Sequence, residues 1–451
     1  MIDPDFEAGR DGRVRDRVLA VACGLAVLGY VHRVGFATAA PELKLRLGLG
    51  PRDLSYLMAA FLASYGLVEV PCGMIGDRLG VRKLLVASVL GWSFVTGAIA
   101  LVFRLPAGTV WPLVYLILLR VLFGAFQGGM FPAISRMLTD WMPIDERGSA
   151  QGFVWMSSRL GGAFAPILVG RMFLWFGMGS RTFWGLAAIG AVSSALFWAW
   201  FRDRPEQMPG VTPAERKRIG SGRAAKAPAG HLATPWRAMF GSLNVWSLCL
   251  AYGCLGFTGN FFITLMPEYL RSQRGFSAGV TGWLLSLPLA CGVVACVLGG
   301  FLSDAILRFT GNRRWGRRLV GASGLAIASV ALLATIRVHS PLALGALLCL
   351  SFFGNDLTMG PAWAACGDIG EVHAGTLAGA MNMTASLTGA SAAFLAGYLL
   401  ENGRPVTLFV VLAGAYALGA VCWMGVDATK TLASRSSGGH VISPHQNNED
   451  E

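Results

Sequence analysis

Twelve stretches of the sequence are apolar over about 20 residues each, the length that a helix needs to cross the roughly 30 Å hydrocarbon core of a membrane. Of the 451 residues, 54% are hydrophobic and only 14% are charged. So few charges cannot cover a soluble surface, which excludes a cytosolic enzyme and a disordered protein. We predict an all-α membrane protein with 12 transmembrane helices. The spans are roughly 18–40, 53–73, 83–103, 112–135, 150–176, 181–201, 243–268, 279–303, 316–337, 341–364, 375–399 and 405–427.

Lysine and arginine are distributed unevenly among the connecting loops. If the N-terminus is cytoplasmic, the cytoplasmic segments hold most of them, which by the positive-inside rule predicts that both termini are cytoplasmic. The net charge of +12 then reflects this asymmetry and favours contact with anionic lipid headgroups over nucleic acid. The nine cysteines include no CxxC pair, so we expect no metal and no cofactor.

Two sequence features recur on either side of a long polar linker. Gly73 to Asp77 reads GMIGD, and 227 residues later Gly300 to Asp304 reads GFLSD. A Pro-Glu pair ends the first predicted span and another ends the seventh, 226 residues later. Nearly equal offsets predict two pseudo-symmetric six-helix bundles, as in many transporters. We divide the chain into a cytoplasmic N-terminus (1–17), an N-terminal bundle (18–201), a cytoplasmic linker (202–240), a C-terminal bundle (241–427) and a disordered cytoplasmic tail (428–451).

The segment from Gly73 to Lys83, GMIGDRLGVRK, resembles the signature loop between the second and third helices of the major facilitator superfamily. Glycine allows close helix approach, and an aspartate can cap a helix end and pair with a cation. The resemblance implies that this segment is a gating motif, and Asp304 occupies the position of Asp77 in the second half. The motif residues are Gly73, Asp77, Arg78, Gly80, Arg82 and Lys83.

Further stretches are similar to the anion:cation symporter family, which includes hexuronate, galactonate, sialic acid and vesicular glutamate transporters. The resemblance implies that the protein transports a small organic anion by alternating access. It is carried by RVGFATAAP at 33–41, RVLFGAFQGGMFP at 120–132, LMPEYL at 265–270, GPAW at 360–363 and GTLAGAMN at 375–382.

Three arginines, Arg33, Arg120 and Arg159, lie well inside predicted spans. An arginine at mid-membrane costs about 2.5–3.5 kcal/mol on insertion scales, so each needs a reason. Guanidinium groups facing one cavity would hold a carboxylate in a two-pronged fork. The alternative is that each arginine is the structural partner of a buried carboxylate or a helix end.

The family resemblance also points to a substrate cavity at these arginines. It implies anion recognition by Arg33 and Arg120 and substrate contacts by Tyr65 and Asn382, with Trp363 near a cavity aromatic. Arg159 replaces the family's neutral residue, which suggests a second acidic group on the substrate or a more anionic substrate. For Tyr65 and Trp363, packing is the competing interpretation.

Two departures from the family concern proton coupling. His32 stands where proton-coupled sugar-acid members have an aspartate, and Gln127, which we also place at the substrate, stands where they have a glutamate. Gln127 cannot titrate. We therefore expect His32, Glu69 or Asp356 to carry the proton. An ion pair with the 77–83 loop is the alternative for Glu69, and a permanent salt bridge is the alternative for Asp356.

The sequence thus predicts a proton-coupled symporter of a sugar acid or another mono- or dicarboxylate, monomeric and in a bacterial inner membrane. An uncoupled uniporter or exchanger, an organophosphate/phosphate antiporter and a non-transporting sensor remain open. No HExxH or Walker-type motif is present, so we expect neither an enzyme nor an ATP-driven pump.

Overall fold

The structure, a computed structural model, describes residues 14–177, 180–221 and 234–432, without the side chains of residues 41, 42 and 51. Within these ranges it is helical and has no strand. Eleven of its helical stretches are long and apolar enough to cross a membrane. One of them, Pro341–Glu401, is 61 residues long. It folds back at Glu371–His373 and so contains two spans.

The twelve spans are therefore present, and several begin or end a few residues from the predicted bounds. They are α1 (Val14–Leu47), α2 (Pro51–Leu79), α3 (Val81–Ile99), α4 (Trp111–Gln127 and Met130–Trp141), α5 (Arg147–Phe176), α6 (Ser180–Trp200), α7 (Leu243–Thr264), α8 (Ala278–Thr310), α9 (Arg313–Ala334), α10 (Pro341–Leu357 and Met359–Gly370), α11 (Ala374–Glu401) and α12 (Pro405–Gly425).

Helix packing repeats between the two halves. In the first half α1 packs on α5, α2 on α4, and α3 on α6. Adding six to each number gives the pairs α7–α11, α8–α10 and α9–α12, which also pack closely. Between the halves, α5 packs on α8 and α11 on α2. We call these two contacts between the bundles the α5–α8 seam and the α2–α11 seam.

Glycines allow the helix backbones to touch at both seams. A Cβ on Gly73 would lie 2.2 Å from the carbonyl oxygen of Gly375, and one on Gly300 would lie 2.3 Å from that of Gly148. A side chain at Gly73 or Gly300 would therefore push the bundles apart. The pairs are related by the same 227-residue offset as the sequence repeat.

The polar connections at one end of the spans include the linker. We call this end, where residues 202–221 and 234–240 lie, the linker side. The linker contains two short helices, Pro213–Gly220 and Trp236–Phe240. Its residues 222–233 lie outside the described residues.

The start of the predicted tail is folded. Ala428 and Leu432 are buried, and the Asn244 side chain donates to the carbonyl oxygen of Asp427 at 2.8 Å. This corrects the prediction of disorder for residues 428–432. The rest of the tail and residues 1–13 lie outside the described residues, and residues 14–17 are the first turn of α1.

Candidate functional site

Arg33 on α1 lies among polar side chains of both bundles, and we call this polar region the chamber: it consists of Tyr30, Tyr65, Gln127 and Asn382. Its Nε donates to Oε1 of Gln127 at 2.7 Å, and its guanidinium carbon lies 5.1 Å from the ring centre of Tyr30 and 4.6 Å from that of Tyr65. Its Nη2 is buried and has no hydrogen-bond acceptor in the described part of the chain. A buried cationic donor without an acceptor is costly, so this atom has a hydrogen bond left to donate.

Gln127 orients Arg33 without adding a counter-charge of its own. The amide accepts from Arg33 through Oε1 and donates through Nε2 to the carbonyl oxygen of Gly29 at 2.8 Å. Gln127 is fully buried. It holds the arginine as a structural ligand, and no proton is needed to release it.

Arg120 lies behind Phe61, inside the N-terminal bundle. The ring centre of Phe61 is 5.2 Å from the guanidinium carbon of Arg33 and 4.4 Å from that of Arg120. Arg120 is buried, stacks on Phe36 at 4.4 Å, and donates to the Leu57 carbonyl oxygen at 3.4 Å. The structure therefore brings the two predicted anion-binding arginines to one aromatic cluster, with a phenyl ring between them.

Glu69 and Asn382 meet across the α2–α11 seam. The Asn382 amide donates to the Glu69 carboxylate and to the Tyr65 hydroxyl, the latter at 3.3 Å, and Ser386 donates to Glu69 at 3.5 Å. Glu69 is fully buried. The structure thus places Glu69 beside the chamber and away from the 77–83 loop that was its alternative partner.

Arg159 and Asp356 form a two-pronged ion pair. Nε of Arg159 lies 3.0 Å from Oδ2 of Asp356, and Nη2 lies 2.7 Å from Oδ1. The pair joins α5 in one bundle to α10 in the other, and the Asp356 side chain is fully buried. Arg159 therefore already has an anionic partner, unlike Arg33.

Trp363 packs below the chamber. Its Nε1 donates to the Tyr252 hydroxyl at 2.9 Å, and its ring centre lies 5.3 Å from that of Trp155. It is 1% exposed, which is too little for extensive substrate contact in this conformation. Sequence reasoning missed Tyr30, Trp155 and Tyr252, because single aromatic residues in apolar spans carry no signal that separates them from core packing.

His32 faces away from the chamber. Its two ring nitrogens lie 2.9 Å and 3.1 Å from the carbonyl oxygens of Leu28 and Leu186, and its ring is next to Trp92. It is buried between α1, α3 and α6. The structure therefore does not bring His32 to Arg33, its neighbour in sequence, and places it in the packing of the N-terminal bundle.

The predicted gating aspartates cap helices of the opposite bundle. Asp77 accepts from the backbone NH groups of Gly375 and Thr376, at 3.0 and 2.7 Å, at the start of α11. Asp304 accepts in the same way from Gly148 and Ser149, at 3.0 and 2.6 Å, at the start of α5. Carboxylates at helix N-termini are stabilising, so both seams are closed at the linker side.

The other motif residues shape the α2–α3 turn. Gly80 alone connects the two helices with φ of +93°, a conformation that favours glycine. The NH group of Arg82 donates to Asp203 at 2.8 Å, and its guanidinium group lies 4.0 Å from the Trp198 ring centre. Arg78 and Lys83 are exposed.

A buried charge network, which sequence reasoning missed, adds to the linker-side closure. Asp368 on α10 accepts from Arg147 of α5 at 2.8 Å and from Arg317 of α9 at 3.1 Å. Arg317 also pairs with Asp304 at 2.6 Å and is fully buried. In the sequence these residues lie at the ends of spans, where they are indistinguishable from ordinary loop charges.

The chain belongs to the Major Facilitator Superfamily, whose family profile matches residues 22–393. A probable sulfoacetate transporter from Cupriavidus necator is 32% identical over 426 residues, which cover 94% of this chain and 96% of that protein. The D-galactonate transporter of Escherichia coli is 26% identical over 438 residues, covering 94% of this chain and 98% of that protein.

The fold is also that of solved transporters. The crystal structure of the superfamily transporter FucP in the outward conformation aligns with a TM-score of 0.68 at 14% identity, over 90% of this chain and 97% of FucP. The protein is therefore an integral, multi-pass membrane protein of a transporter superfamily and not an enzyme.

Proposed function

We propose that the protein is a secondary transporter that moves a small organic anion across a bacterial inner membrane by alternating access. The acid group of the solute binds Arg33. The observation that carries this proposal is the buried Nη2 of Arg33, which has no acceptor in the described residues while Gln127 fixes its Nε.

The relatives suggest which solutes to test first. Sulfoacetate and D-galactonate are named as the solutes of two proteins that match almost the whole chain. A guanidinium group binds sulfonate and carboxylate in similar geometry. Tyr65 and Asn382 add a hydroxyl and an amide near Arg33, which suits a solute that also carries hydroxyl groups.

Proton coupling through Glu69 and Asp356 is part of the proposal. Glu69 lies in the α2–α11 seam and Asp356 pairs with Arg159 between α5 and α10. Each carboxylate therefore contributes to a contact between the bundles that must change during alternating access. With the linker side cytoplasmic, the described conformation is closed toward the cytoplasm.

Counterflow in proteoliposomes tests the anion site. Wild-type protein should exchange radiolabelled sulfoacetate or D-galactonate, and Arg33→Ala should abolish exchange. Arg33→Lys should retain a fraction of it, because lysine keeps the charge without the fork. Arg171→Ala is the matched control, since Arg171 lies on α5 next to Trp175. Exchange that survives in Arg33→Ala would refute the site, and binding without counterflow would instead indicate a sensor.

A pH gradient tests the coupling. Glu69→Gln and Asp356→Asn should each reduce the dependence of uptake on the gradient. If uptake of the anion ignores the gradient in the wild type, the protein is a uniporter or exchanger. That second candidate is favoured by the neutral Gln127 next to Arg33. Competition by inorganic phosphate would instead support phosphate exchange.

A further inference from the structure

The Arg159–Asp356 pair joins α5 of the N-terminal bundle to α10 of the C-terminal bundle. Its two hydrogen bonds, at 3.0 and 2.7 Å, use both oxygens of Asp356 and two nitrogens of Arg159. Because α5 and α10 belong to different bundles, a movement that separates the bundles here must break the pair. A buried carboxylate and a buried guanidinium would then both need new partners.

Asp356 keeps a second partner when Arg159 leaves. Nδ2 of Asn355 donates to Oδ1 of Asp356 at 2.8 Å, and Oδ1 of Asn355 in turn accepts from the Tyr416 hydroxyl at 3.0 Å. Asn355, Asp356 and Tyr416 all lie in the C-terminal bundle. This chain of bonds holds the carboxyl group in place independently of the N-terminal bundle.

Arg159 and Arg33 lie on either side of Tyr30. A Cβ on Gly161 would lie 2.9 Å from the Cα of Val27 and 3.4 Å from the Cβ of Tyr30, which fixes the relative height of α1 and α5. The two helices run in the same direction, since both begin at the linker side. Arg33 is six residues beyond Val27 and Arg159 two residues before Gly161, so their backbones differ in height by about 12 Å. The long side chains reduce this distance, and Tyr30 lies near both guanidinium groups.

We propose that Arg159 is a second anion subsite whose resting occupant is Asp356, and that the transported solute carries two acidic groups. This inference rests on the proposed function of the Arg33 site. One acidic group of the solute binds Arg33 and the other displaces Asp356 from Arg159. The inter-bundle bond is thereby replaced by a bond from solute to the N-terminal bundle alone.

The displaced carboxylate binds one proton that enters from bulk solution with the solute. Arg159 then has the solute as its counter-ion, and Asp356 is a neutral acid held by Asn355. No unpaired charge remains buried, which would otherwise cost several kcal/mol. One proton therefore accompanies the second acidic group of each solute molecule, and a monoanion, which leaves Asp356 on Arg159, does not recruit it.

This inference is tested by measuring, with calorimetry, the affinity of the purified full-length protein for solutes that differ by one charge. Galactarate and galactonate share a carbon skeleton, and sulfoacetate can be compared with its methyl ester. Wild-type protein should bind the dianion of a pair at least tenfold more tightly than the monoanion. In Arg159→Gln this ratio should fall towards one. Arg171→Gln, the same substitution on the same helix, should leave the ratio unchanged.

Asp356→Asn gives an independent readout in case Arg159→Gln does not fold. An amide competes poorly for a guanidinium group, so this variant should bind the dianion more tightly than the wild type. The wild type should bind the dianion more tightly as the pH falls, because binding recruits a proton, and this dependence should be absent in the variant. Unchanged affinity and unchanged pH dependence in this variant would overturn the inference.

The outcomes separate this inference from the proposed function. A wild-type ratio near one, with both solutes lost in Arg33→Ala, would overturn the second subsite and leave the Arg33 site standing. If neither pair binds, or if binding survives in Arg33→Ala, both proposals fail.

Discussion

Gln127 determines the charge of the anion site. A glutamine provides the same reach as a glutamate but remains neutral at every working pH. In this chain it accepts from Arg33 and donates to Gly29, so its amide orientation is fixed by one acceptor and one donor contact. Gln127 therefore never neutralises the positive charge of Arg33, whatever the pH.

Replacing Gln127 by glutamate should make anion binding depend on pH. At high pH the new carboxylate would be ionised, pair with Arg33 and compete with the solute. At low pH it would be protonated and release Arg33. We expect affinity to fall by about tenfold or more at pH 8 and to recover towards pH 5, measured by calorimetry.

Gln127→Leu is the control for this substitution. It removes the hydrogen bonds without adding a titratable group, so it should weaken binding equally at all pH values. A Gln127→Glu protein with wild-type affinity at pH 8 would show that Gln127 does not control the charge of Arg33.

At the scale of helices, each bundle supplies an aspartate that caps a helix of the other. Asp77 binds the first turn of α11 and Asp304 the first turn of α5. Asp304 additionally pairs with the fully buried Arg317, whereas Arg136 lies 3.8 Å from Asp77. The two caps are related by the sequence repeat, but they are not equally supported by neighbouring charges.

Asp77→Asn and Asp304→Asn should both loosen the linker side. Losing a charged helix cap costs about 1–2 kcal/mol, which shifts an equilibrium by roughly 5–30-fold. Hydrogen–deuterium exchange should therefore speed up at 375–376 in Asp77→Asn and at 148–149 in Asp304→Asn. The effect should be larger in Asp304→Asn, because Arg317 also loses a partner.

Asp53→Asn is the matched control, since Asp53 caps the start of α2 within its own bundle. If it speeds exchange at these turns as much as the two seam variants, the caps do not hold the linker side closed.

Hydropathy and the 227-residue repeat predicted the spans and the equivalence of Asp77 and Asp304, because membrane thickness and glycine contacts constrain them directly. They could not predict side-chain direction. Successive helix residues point about 100° apart, so His32 faces α6 while Arg33 faces the chamber. The Arg159–Asp356 pair joins residues 197 positions apart. It depends on the rotation of two helices in different bundles, which no local pattern determines.

For the whole molecule, the linker is attached to the contact between the bundles. Arg218, in the helix Pro213–Gly220, pairs with Asp145 at 2.6 Å and with Glu146 at 3.1 Å, and the bond to Asp145 raises the pKa of Arg218. The backbone carbonyl of Asp145 accepts from Arg308 of the C-terminal bundle at 3.1 Å. A single loop of the N-terminal bundle therefore binds both the linker and the opposite bundle.

Arg218→Ala should release this linker helix without unfolding the bundles. The pair is partly exposed, so we expect only about a two- to fivefold increase in amide exchange, confined to 213–220. High salt should produce the same change in the wild type. Arg216→Ala, an exposed position on the same helix, is the control. Equal exchange in both variants would show that the Arg218 bonds do not hold the helix.

The indole rings of Trp155 and Trp363, 5.3 Å apart, belong to different bundles. Any transition that parts the bundles beneath the chamber must alter the surroundings of both rings, and with them the ultraviolet emission of the protein. The molecule thus carries its own optical reporter of the transport cycle, readable in stopped-flow mixing without attaching a dye.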